Sequence, residues 1–316
     1  MVYSLALRTR FRGITRRQGM IWRGPKGWAE WSPFTEYDAA EARPWLAAAR
    51  EAAEVGFPAP VRDSVPVNCT IPAVGPSQAY ALASGSGCRT AKVKVAEPGQ
   101  SLADDLARVE AVRDALGPGG AVRVDANGNW NPDEAERACR ELARFELEYA
   151  EQPVASVEDL AALRRTLAHK GIEVPLAADE SIRKTGDPER VVALEAADVA
   201  VLKVQPLGGV RRCLELAEKL GIPVVVSSAL ETSVGLAAGV ALAAALPELP
   251  HACGLNTMAL FTDDVVADSL IAEDGAIAVR PVEVDLARLA ASAAGPEDQQ
   301  WWHDRLAAVD TGEVQR

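Results

Sequence analysis

Histidine is scarce in this sequence and paired cysteines are absent, which excludes the metal centres usually built from these residues. Only three histidines occur in 316 residues (His169, His251 and His303), and none forms an H-E-x-x-H pair. The five cysteines are odd in number, widely spaced and without a C-x-x-C motif. We therefore expect reduced cysteines in a cytoplasmic protein, and neither a disulfide framework nor a zinc site.

Net positive charge and long apolar runs are also lacking. The net charge is -12 and the sequence pI about 4.9, whereas a general nucleic-acid binder needs a basic face. The longest apolar run, Val234 to Leu246, is shorter than the ~18 residues that cross a bilayer, and we interpret it as a buried barrel helix. The apolar stretch at the N-terminus is too short for a signal peptide. We expect no nucleic-acid partner and no membrane segment.

The first part of the chain differs from the rest. At 316 residues, with 48% hydrophobic and 25% charged residues, the chain could form one large α/β barrel or two ordinary globular domains. SLALRTRFRG alternates like a strand, GWAEWSPF after the turn at Gly24 and Pro25 predicts a second strand, and residues 38–55 have helical spacing. Residues 1–66 are therefore predicted to form a small α+β capping domain, completed by part of the C-terminal tail.

This N-terminal region is unusually basic for an acidic protein. Its basic residues are Arg8, Arg10, Arg12, Arg16, Arg17, Arg23 and Lys26. A solvated strand face and turn is the simpler interpretation, and a basic lid over an anionic substrate is the functional one.

From residue 67 a pattern of strand, loop and helix repeats until about residue 260. The predicted strands are 67–74, 90–95, 121–126, 146–152, 174–180, 198–204, 223–229 and 251–256. The predicted helices are 77–84, 101–116, 133–144, 157–169, 187–196, 209–220 and 232–246. This alternation is typical of a parallel α/β barrel. In residues 261–316 we predict a β-hairpin around Asp274 and Gly275 in DSLIAEDGAIAV and a short helix in VDLARLAA, and the tail is expected to return to the cap, anchored by Trp301 and Trp302.

Charged residues interrupt the predicted strands close to their C-terminal ends. They are Lys92 and Lys94 in AKVKV, Asp125 in VRVDAN, Glu151 in EYAEQP, Asp179 in LAADES and Lys203 in AVLKVQP. Side chains two apart on a strand share a face, so Lys92 and Lys94 point one way and the valines between and after them the other. Because a parallel barrel brings the C-terminal ends of its strands to one mouth, these charges should meet there.

The three acids, Asp125, Glu151 and Asp179, predict a metal site. Three unpaired carboxylates would repel one another and lose hydration, at a cost of several kcal/mol. A hard divalent cation removes that cost, and an all-oxygen site suits Mg²⁺, with Mn²⁺ as a substitute. For any one of these three acids taken alone, an ion pair or a position on the surface is the simpler interpretation. Glu180 would point away from Asp179 on an ideal strand, so Asp179 is the predicted ligand.

Lys94 and Lys203 flank the strands that carry the acids. A free lysine has a pKa near 10.4 and is a poor base at neutral pH, but nearby positive charge and burial lower that pKa. A base beside a metal-bound carboxylate substrate is suited to removing the proton next to that carboxylate, with the metal holding the developing enediolate charge. Structural ion pairs and a Schiff-base lysine are the alternatives, although a Schiff base would not need three acids.

The motifs KVK, VDAN, EQP, ADES and LKV closely resemble the muconate-lactonising branch of the enolase superfamily. The resemblance extends over essentially the whole chain and implies a capping domain followed by a modified TIM barrel, (β/α)7β, here at residues 67–260. Within that branch, LRTRFRGITRRQG, WRGPKGWAEWSPF, SSALETSVG and CGLNT are most similar to the o-succinylbenzoate synthase family of actinobacterial type. That family implies loss of water from a cyclohexadiene carboxylate in menaquinone biosynthesis, catalysed by a Mg²⁺-dependent lyase.

The resemblance also implies a role for each matching residue. Asp125, Glu151 and Asp179 would bind Mg²⁺, Lys94 would be the base, and Lys203 would be a cation over the substrate ring. Lys92 would lie near the substrate carboxylate. Candidate substrate-binding residues are Lys92, Arg123, Asn127, Ser227, Ser228 and Gly254. For the serines and the glycine, small residues needed for packing are an equal alternative.

The catalytic set alone does not choose among related activities. Relatives with the same five residues racemise N-succinyl amino acids, epimerise dipeptides or cyclise muconate. The N-terminal region is shorter here than in many relatives, so the lid that sets specificity does not map residue by residue. A barrel that lost its chemistry and serves as a binding protein is a different class, against which the intact set argues. A phosphate-binding barrel is disfavoured because the C-terminal strand loops lack a Gly-rich phosphate motif.

Overall fold

The N-terminal region is a three-stranded antiparallel sheet with one helix, and we call residues 2–55 the cap. The computed structural model describes residues 1–183 and 188–311. The cap contains β1 (Val2–Phe11), β2 (Ile14–Arg23), β3 (Trp28–Trp31) and α1 (Ala39–Arg50), which continues as a π-helical turn, Glu51–Val55. The Asp38 side chain accepts the Glu41 N–H and the Glu41 carboxylate accepts the Asp38 N–H, so both satisfy free donors at the start of α1.

The cap has three strands where the sequence predicted two, so the predicted strand-strand-helix order was wrong. The missed strand is β2, ITRRQGMIWR, whose adjacent arginines hide the alternation expected of a half-buried strand. Arg17 nevertheless takes an inward position, because its guanidinium finds backbone carbonyls inside the protein. Arg12 (φ 49°) and Gly13 (φ 79°) form the turn between β1 and β2, and two left-handed residues are what a tight hairpin turn requires.

Seven parallel strands follow one another around a barrel, preceded by β4 (Ser64–Pro66). They are β5 (Cys69–Ile71), β6 (Thr90–Lys94), β7 (Ala121–Asp125), β8 (Tyr149–Glu151), β9 (Leu176–Ala178), β10 (Val199–Leu202) and β11 (Val224–Val226). Single parallel bridges from Val67 to Cys253 and from Ser227 to Gly254 close the sheet. The predicted (β/α)7β barrel is confirmed, although the predicted strand 251–256 is reduced to the two bridge residues.

Helices separate the barrel strands close to the predicted positions. They are α2 (Pro76–Ser84), α3 (Leu102–Leu116), α4 (Pro132–Leu142), α5 (Val157–His169), α6 (Glu180–Arg183), α7 (Glu189–Ala193), α8 (Val204–Leu207), α9 (Val210–Leu220) and α10 (Ser233–Ala245). The short α6 and α8 were not predicted. They begin directly behind β9 and β10, so the predicted strands 174–180 and 198–204 were too long. Residue 187, where one predicted helix begins, lies outside the described residues.

The chain then returns to the entrance of the barrel. The predicted hairpin is reduced to a turn at Asp274 and Gly275, because β12 (Ala276–Ala278) pairs antiparallel with β4. Only Glu273 bridges back across the turn to Ala276, so the main partner of this strand is β4 and not the segment before the turn.

The tail ends against the cap through α11 (Leu286–Ala291) and α12 (Pro296–Thr311). Ala293 bridges Tyr3 of β1, between the two helices. The Trp302 ring is fully buried and meets the Trp31 ring edge-on, with 5.5 Å between the ring centres. Trp301 is 42% exposed, so Trp302 is the residue that fixes α12 to the cap sheet.

The apolar run predicted to be a barrel helix is α10, whose side chains are mostly buried against the barrel and the cap. All five cysteines are free and buried. Within residues 1–183 and 188–311, no helix combines the length and the hydropathy that a membrane span needs.

Candidate active site

Sheet register brings the predicted acids and lysines to one end of the barrel. Lys94 of β6 lies beside Asp125 of β7, which lies beside Glu151 of β8. Asp179 follows β9 directly, and Lys203 follows β10. The mouth cluster is formed by Lys92, Lys94, Asp125, Glu151, Asp179, Arg183 and Lys203. Arg183 lies on α6 and was not predicted, whereas the other members lie on five neighbouring strands or directly after them, as the sequence predicted.

Lysine side chains lie between the carboxylates on one side of the mouth cluster. The Lys94 Nζ is 2.6 Å from Asp125 Oδ2 and 2.6 Å from Asn127 Oδ1. The Lys92 Nζ is 3.1 Å from Glu151 Oε1 and 3.2 Å from Asp125 Oδ2. Asn127 lies beyond the end of β7 in a left-handed conformation (φ 48°), which turns its side chain towards Lys94.

Two cations hold Asp179 on the other side. The Lys203 Nζ is 2.6 Å from Asp179 Oδ2, and the Arg183 Nε is 2.9 Å from Asp179 Oδ1. Arg183 also pairs with Glu180 and donates to the Tyr37 hydroxyl of the cap at 2.9 Å. Across the described residues, no three Asp, Glu, His or Cys side chains are grouped closely enough to enclose a metal ion. The carboxylates are instead separated by cations.

Burial drives the pKa values in the mouth cluster apart. Burial, reinforced by the charge of Asp125, raises the pKa of Glu151 to about 7 despite the opposing effect of Lys92. Burial also lowers the pKa of Lys94, although Asp125 opposes this shift. For Lys92 burial works the same way, but Glu151 and Asp125 outweigh it and raise its pKa.

The two aspartates are shifted in the opposite direction from Glu151. Burial favours the neutral form of Asp125, but Lys94 and Lys92 outweigh it and hold its pKa well below the usual range. Arg183 and Lys203 do the same for the buried Asp179. Carboxyl groups a few ångströms apart, with pKa values pushed in opposite directions, are typical of a reactive site.

A cleft of about 430 Å³, including the part open to solvent, lies above these charges. Lys92, Lys94, Asp125 and Lys203 form part of its wall, and Phe11 and Arg12 reach it from the tip of the β1–β2 hairpin. Arg12 stacks on Phe34, 4.1 Å from the ring centre, and its ion pair with Glu36 spans 3.8 Å. One member of the basic N-terminal cluster therefore lies over the mouth, as the lid interpretation requires.

The serine and glycine candidates also line the cleft. Ser227, Ser228 and Gly254 all line it, together with Thr257. A Cβ added to Gly254 would lie 2.6 Å from Ser227 Oγ and 3.2 Å from Ser227 Cβ, so a larger residue there would displace the Ser227 side chain. The Ser228 and Thr257 hydroxyls are hydrogen-bonded at 2.6 Å. Packing therefore explains Gly254, while the hydroxyls border the cleft.

Arg123 does not reach the cleft, contrary to the position predicted for a substrate-binding residue. It precedes Asp125 by two residues on β7 and so faces the interior one layer further from the mouth. Its Nε donates to Glu148, and its Nη1 donates to Ala252 O at 2.6 Å and Asn68 Oδ1 at 3.2 Å. The floor cluster is formed by Arg123, Glu148, Tyr149 and His251. These contacts hold the guanidinium inside the barrel.

Sequence reasoning missed several polar residues beside the predicted site. Glu180 begins α6 instead of continuing β9, so it does not point away, and its carboxylate accepts from Asn127 at 3.3 Å. The Gln152 amide donates to Ser181 Oγ at 2.8 Å and accepts the Asp179 N–H at 3.0 Å. Gln152 belongs to the EQP motif and Glu180 to the ADES motif. Both could have been found by asking where the strand ends within each motif.

A buried network joins the cap to the loop that lines the cleft. The Arg17 Nε donates to Leu230 O at 2.8 Å. The Glu30 carboxylate accepts the Tyr3 hydroxyl at 2.6 Å and the N–H groups of Thr232 and Gly235 at 3.1 and 3.0 Å, at the start of α10. A carboxylate at a helix N-terminus satisfies free donors and complements the helix dipole. The cap is thus fixed to the barrel wall next to the cleft.

The sequence matches family models along most of its length. Residues 77–283 match the model described as Enolase C-terminal domain-like, and residues 2–53 match Enolase N-terminal domain-like. The chain is 61% identical over 307 residues to the o-succinylbenzoate synthase of Thermobifida fusca, covering 97% of this chain and 94% of that protein. It is 56% identical over 309 residues to the o-succinylbenzoate synthase of Mycolicibacterium smegmatis, with the same coverage of 97% and 94%.

Two solved structures with the same fold are similar to this chain at much lower identity. The muconate lactonizing enzyme from Pseudomonas fluorescens, complexed with muconolactone, has a TM-score of 0.79 at 22% identity, covering 92% of this chain and 97% of that one. The N-succinyl Arg/Lys racemase from Bacillus cereus has a TM-score of 0.77 at 22% identity, covering 93% and 97%. At this identity the structures establish a shared fold.

Proposed function

We propose a function from the premise that this chain belongs to the enolase superfamily and, within it, to the o-succinylbenzoate synthase family. The mouth cluster carries out the reaction of that family. The reaction is removal of water from 2-succinyl-6-hydroxy-2,4-cyclohexadiene-1-carboxylate to give 2-succinylbenzoate, a carbon–oxygen lyase step of menaquinone biosynthesis. The structural observation that carries the proposal is that Lys94 and Lys203 enter one cleft from the strands on either side of the three acids.

Asp125, Glu151 and Asp179 are the residues that would hold Mg²⁺. Their carboxylate oxygens are the donors this ion prefers, and their counter-charges in this structure are lysine and arginine side chains. A divalent cation would take over that role in a site rich in buried acid. When bound, it supplies positive charge next to a substrate carboxylate that gains negative charge during the reaction.

Lys94 is the proposed base. Its amine takes the ring proton beside the substrate carboxylate, and the electron pair that is left behind moves into that carboxylate. The bond from the ring to the hydroxyl oxygen then breaks as the ring becomes aromatic. Lys94 returns its proton to the departing hydroxide, so one water leaves and the base is regenerated. Lys203 keeps its ammonium on the other side of the cleft, where it stabilises the negative charge that develops on the substrate.

The lining of the cleft suits the remaining parts of this dianionic substrate. Ser227 and Ser228 offer hydroxyl groups and Arg12 offers a positive charge at the open side, which fits the carboxylate of the succinyl arm. Asn127 holds Lys94 and does not itself need to contact the substrate. We also propose a cytoplasmic location, in agreement with five unpaired cysteines.

The test is dehydration of the cyclohexadiene carboxylate followed by ultraviolet absorbance, first with Mg²⁺ and then with EDTA. Lys94→Ala and Lys203→Ala are compared with Lys219→Ala, a control on the exposed face of α9. We expect Mg²⁺-dependent turnover that is lost in the first two variants and kept in the third. A folded, Mg²⁺-binding parent protein without turnover would contradict the proposal.

A racemase or epimerase is the second candidate, because two lysines at one cleft could exchange protons on opposite faces of a substrate. Such an enzyme would incorporate solvent deuterium into an N-succinyl amino acid with inversion. In this case Lys94 and Lys203 would both be bases, so replacing either lysine would stop proton exchange on only one face of the substrate. Muconate cyclisation is tested with the same variants.

A further inference from the structure

A buried ion pair of α3 lies directly behind the strand that carries Lys94. Arg108 and Asp105 are 1% and 2% exposed, and the Arg108 Nη1 is 2.9 Å from Asp105 Oδ1. Burying two charges is costly unless they are paired and their remaining hydrogen-bonding groups are satisfied. The partners of this pair therefore indicate what it stabilises.

Those partners are backbone groups on both sides of Lys94. The Arg108 Nη1 donates to Lys94 O at 2.8 Å, and its Nε donates to Val74 O at 2.7 Å. The Asp105 Oδ2 accepts the Ala96 N–H at 3.0 Å. One ion pair thus binds the carbonyl of Lys94, the N–H two residues later and the loop after β5.

The sheet leaves these groups without strand partners. β5 ends at Ile71, which lies opposite Val93, so Lys94 is the first residue of β6 with no strand on that side. The chain turns at once, because Ala96 is left-handed (φ 57°), which is uncommon for a residue with a side chain. Arg108 and Asp105 replace the missing strand at the position where the Lys94 side chain leaves the backbone.

We propose that Arg108 and Asp105 are positioning residues for Lys94, which hold its backbone so that its amine is aligned with the substrate proton. This inference rests on the proposed role of Lys94 as the base. Reacting groups must be aligned within a fraction of an ångström, and a displacement of about 1 Å can lower a rate by about 100-fold. Neither residue lines the cleft, so both act through Lys94.

The chain offers a matched control on the same helix. Arg113 of α3 also donates to backbone carbonyls, at 2.7 Å to Phe145 O and 2.7 Å to Gly120 O. Gly120 precedes β7, so Arg113 lies at the opposite end of the barrel from the cleft. Arg113→Met removes a comparable set of guanidinium contacts without touching the backbone near Lys94.

The first measurement compares Arg108→Met with Arg113→Met in steady state and in single turnover with excess enzyme. The single-turnover rate constant does not depend on the fraction of folded protein. We expect Arg108→Met to lower kcat and this rate constant by about 10- to 100-fold, with KM changed by less than about threefold. Arg108→Lys, which keeps the charge and part of the donors, should recover part of the loss. Arg113→Met should match the parent rate constant even if it melts at a lower temperature.

The second measurement is amide hydrogen exchange in the segment 90–98, which needs no substrate. Arg108→Met should speed exchange in this segment, whereas Arg113→Met should not. If the single variant does not fold, the Arg108→Met/Asp105→Leu variant removes both buried charges together and takes its place. Equal rate constants in the Arg108 and Arg113 variants, or unchanged exchange at residues 90–98, would overturn the inference. Wild-type turnover in Lys94→Ala would instead overturn the proposed function, while the exchange data would still report the backbone contact.

Discussion

The barrel interior contains charge at both ends, and the two clusters differ in how each charge is partnered. In the floor cluster, Arg123 and Glu148 form a close pair, and the His251 Nδ1 lies 2.7 Å from the same carboxylate. Tyr149 covers the Arg123 guanidinium, 4.7 Å from the ring centre. In the mouth cluster, Asp125 is shared by two lysines and Asp179 by a lysine and an arginine.

The pKa values express this difference. Glu148 is partly buried, but its hydrogen bonds to His251 and Arg123 outweigh burial and lower its pKa to about 2. Glu151, three residues further along the chain, has its pKa raised to about 7 by burial and by Asp125. Ionised Glu148 at the floor therefore stabilises the fold, whereas the charges of Glu151 and Lys94 at the mouth are held at the expense of stability. Buried charge alone does not mark a reactive site, but buried acids that repel one another do.

Replacing Glu151, the mouth acid with the raised pKa, should give the clearest separation between an effect on activity and an effect on stability. We expect Glu151→Gln to lower kcat by at least about 100-fold, because the variant loses a carboxylate of the proposed Mg²⁺ site. At pH 8 its free energy of unfolding without Mg²⁺ should equal or exceed that of the parent, since an acid with a raised pKa costs stability once it is ionised. Turnover by absorbance and urea denaturation measure the two quantities, with Glu148→Gln as control. A large loss of stability in Glu151→Gln would remove the contrast between mouth and floor.

Breaking the floor pair should have the opposite result. Arg123→Met leaves Glu148 without its main counter-charge, and breaking a buried pair in this way costs about 3–5 kcal/mol. The rate constant of the folded protein should stay near that of the parent, because Arg123 does not reach the cleft. Urea denaturation checks the first part and single-turnover kinetics the second. Arg123→Met/Glu148→Met should recover much of the stability, and failure to do so would show that Arg123 acts by packing and not by pairing.

The pH dependence of the floor follows from the lowered pKa of Glu148. Its contribution to stability is present above the unfolded value of 4.5 and is lost as the pH falls towards about 2. Glu148→Gln should therefore destabilise the protein at pH 7, by less than the full shift implies because solvent screens this partly exposed group, and the difference from the parent should shrink steadily below pH 4.5. Denaturation curves at a series of pH values test this. A difference that does not change between pH 7 and pH 3 would contradict an ion pair at this site.

The smallest effect is expected from the histidine of the floor cluster. His251→Asn removes one hydrogen bond to Glu148 but leaves Arg123 in place, so the loss should be about 1 kcal/mol. A loss as large as that of Arg123→Met would mean that the floor acts as one unit in which the charges cannot be separated.

The sequence predicted the barrel and the meeting of charges, because strand ends and strand alternation are local properties. It did not predict β2, because Arg17 is buried against carbonyls that the local pattern does not reveal, that of Ser32 and, more than 200 residues away, that of Leu230. It misplaced Arg123 for a similar reason, since alternation gives the face of a residue but not its depth in the barrel. It treated Glu180 as part of a strand, although the chain had already turned into α6. Depth and turn geometry depend on the assembled fold.

The cap draws on both ends of the chain. Tyr3 bridges Ala293, and Trp31 packs on Trp302. During synthesis β1 leaves the ribosome before the barrel does, but it cannot complete these contacts until α12 has been synthesised. The barrel can therefore fold before the cap is complete. Closure of the cap depends on contacts between residues very far apart in sequence, and such contacts cost the most loop-closure entropy. A nascent chain released before α12 would contain every charge of the mouth cluster, but its cap, and with it the lid over those charges, would lack the support of Trp302.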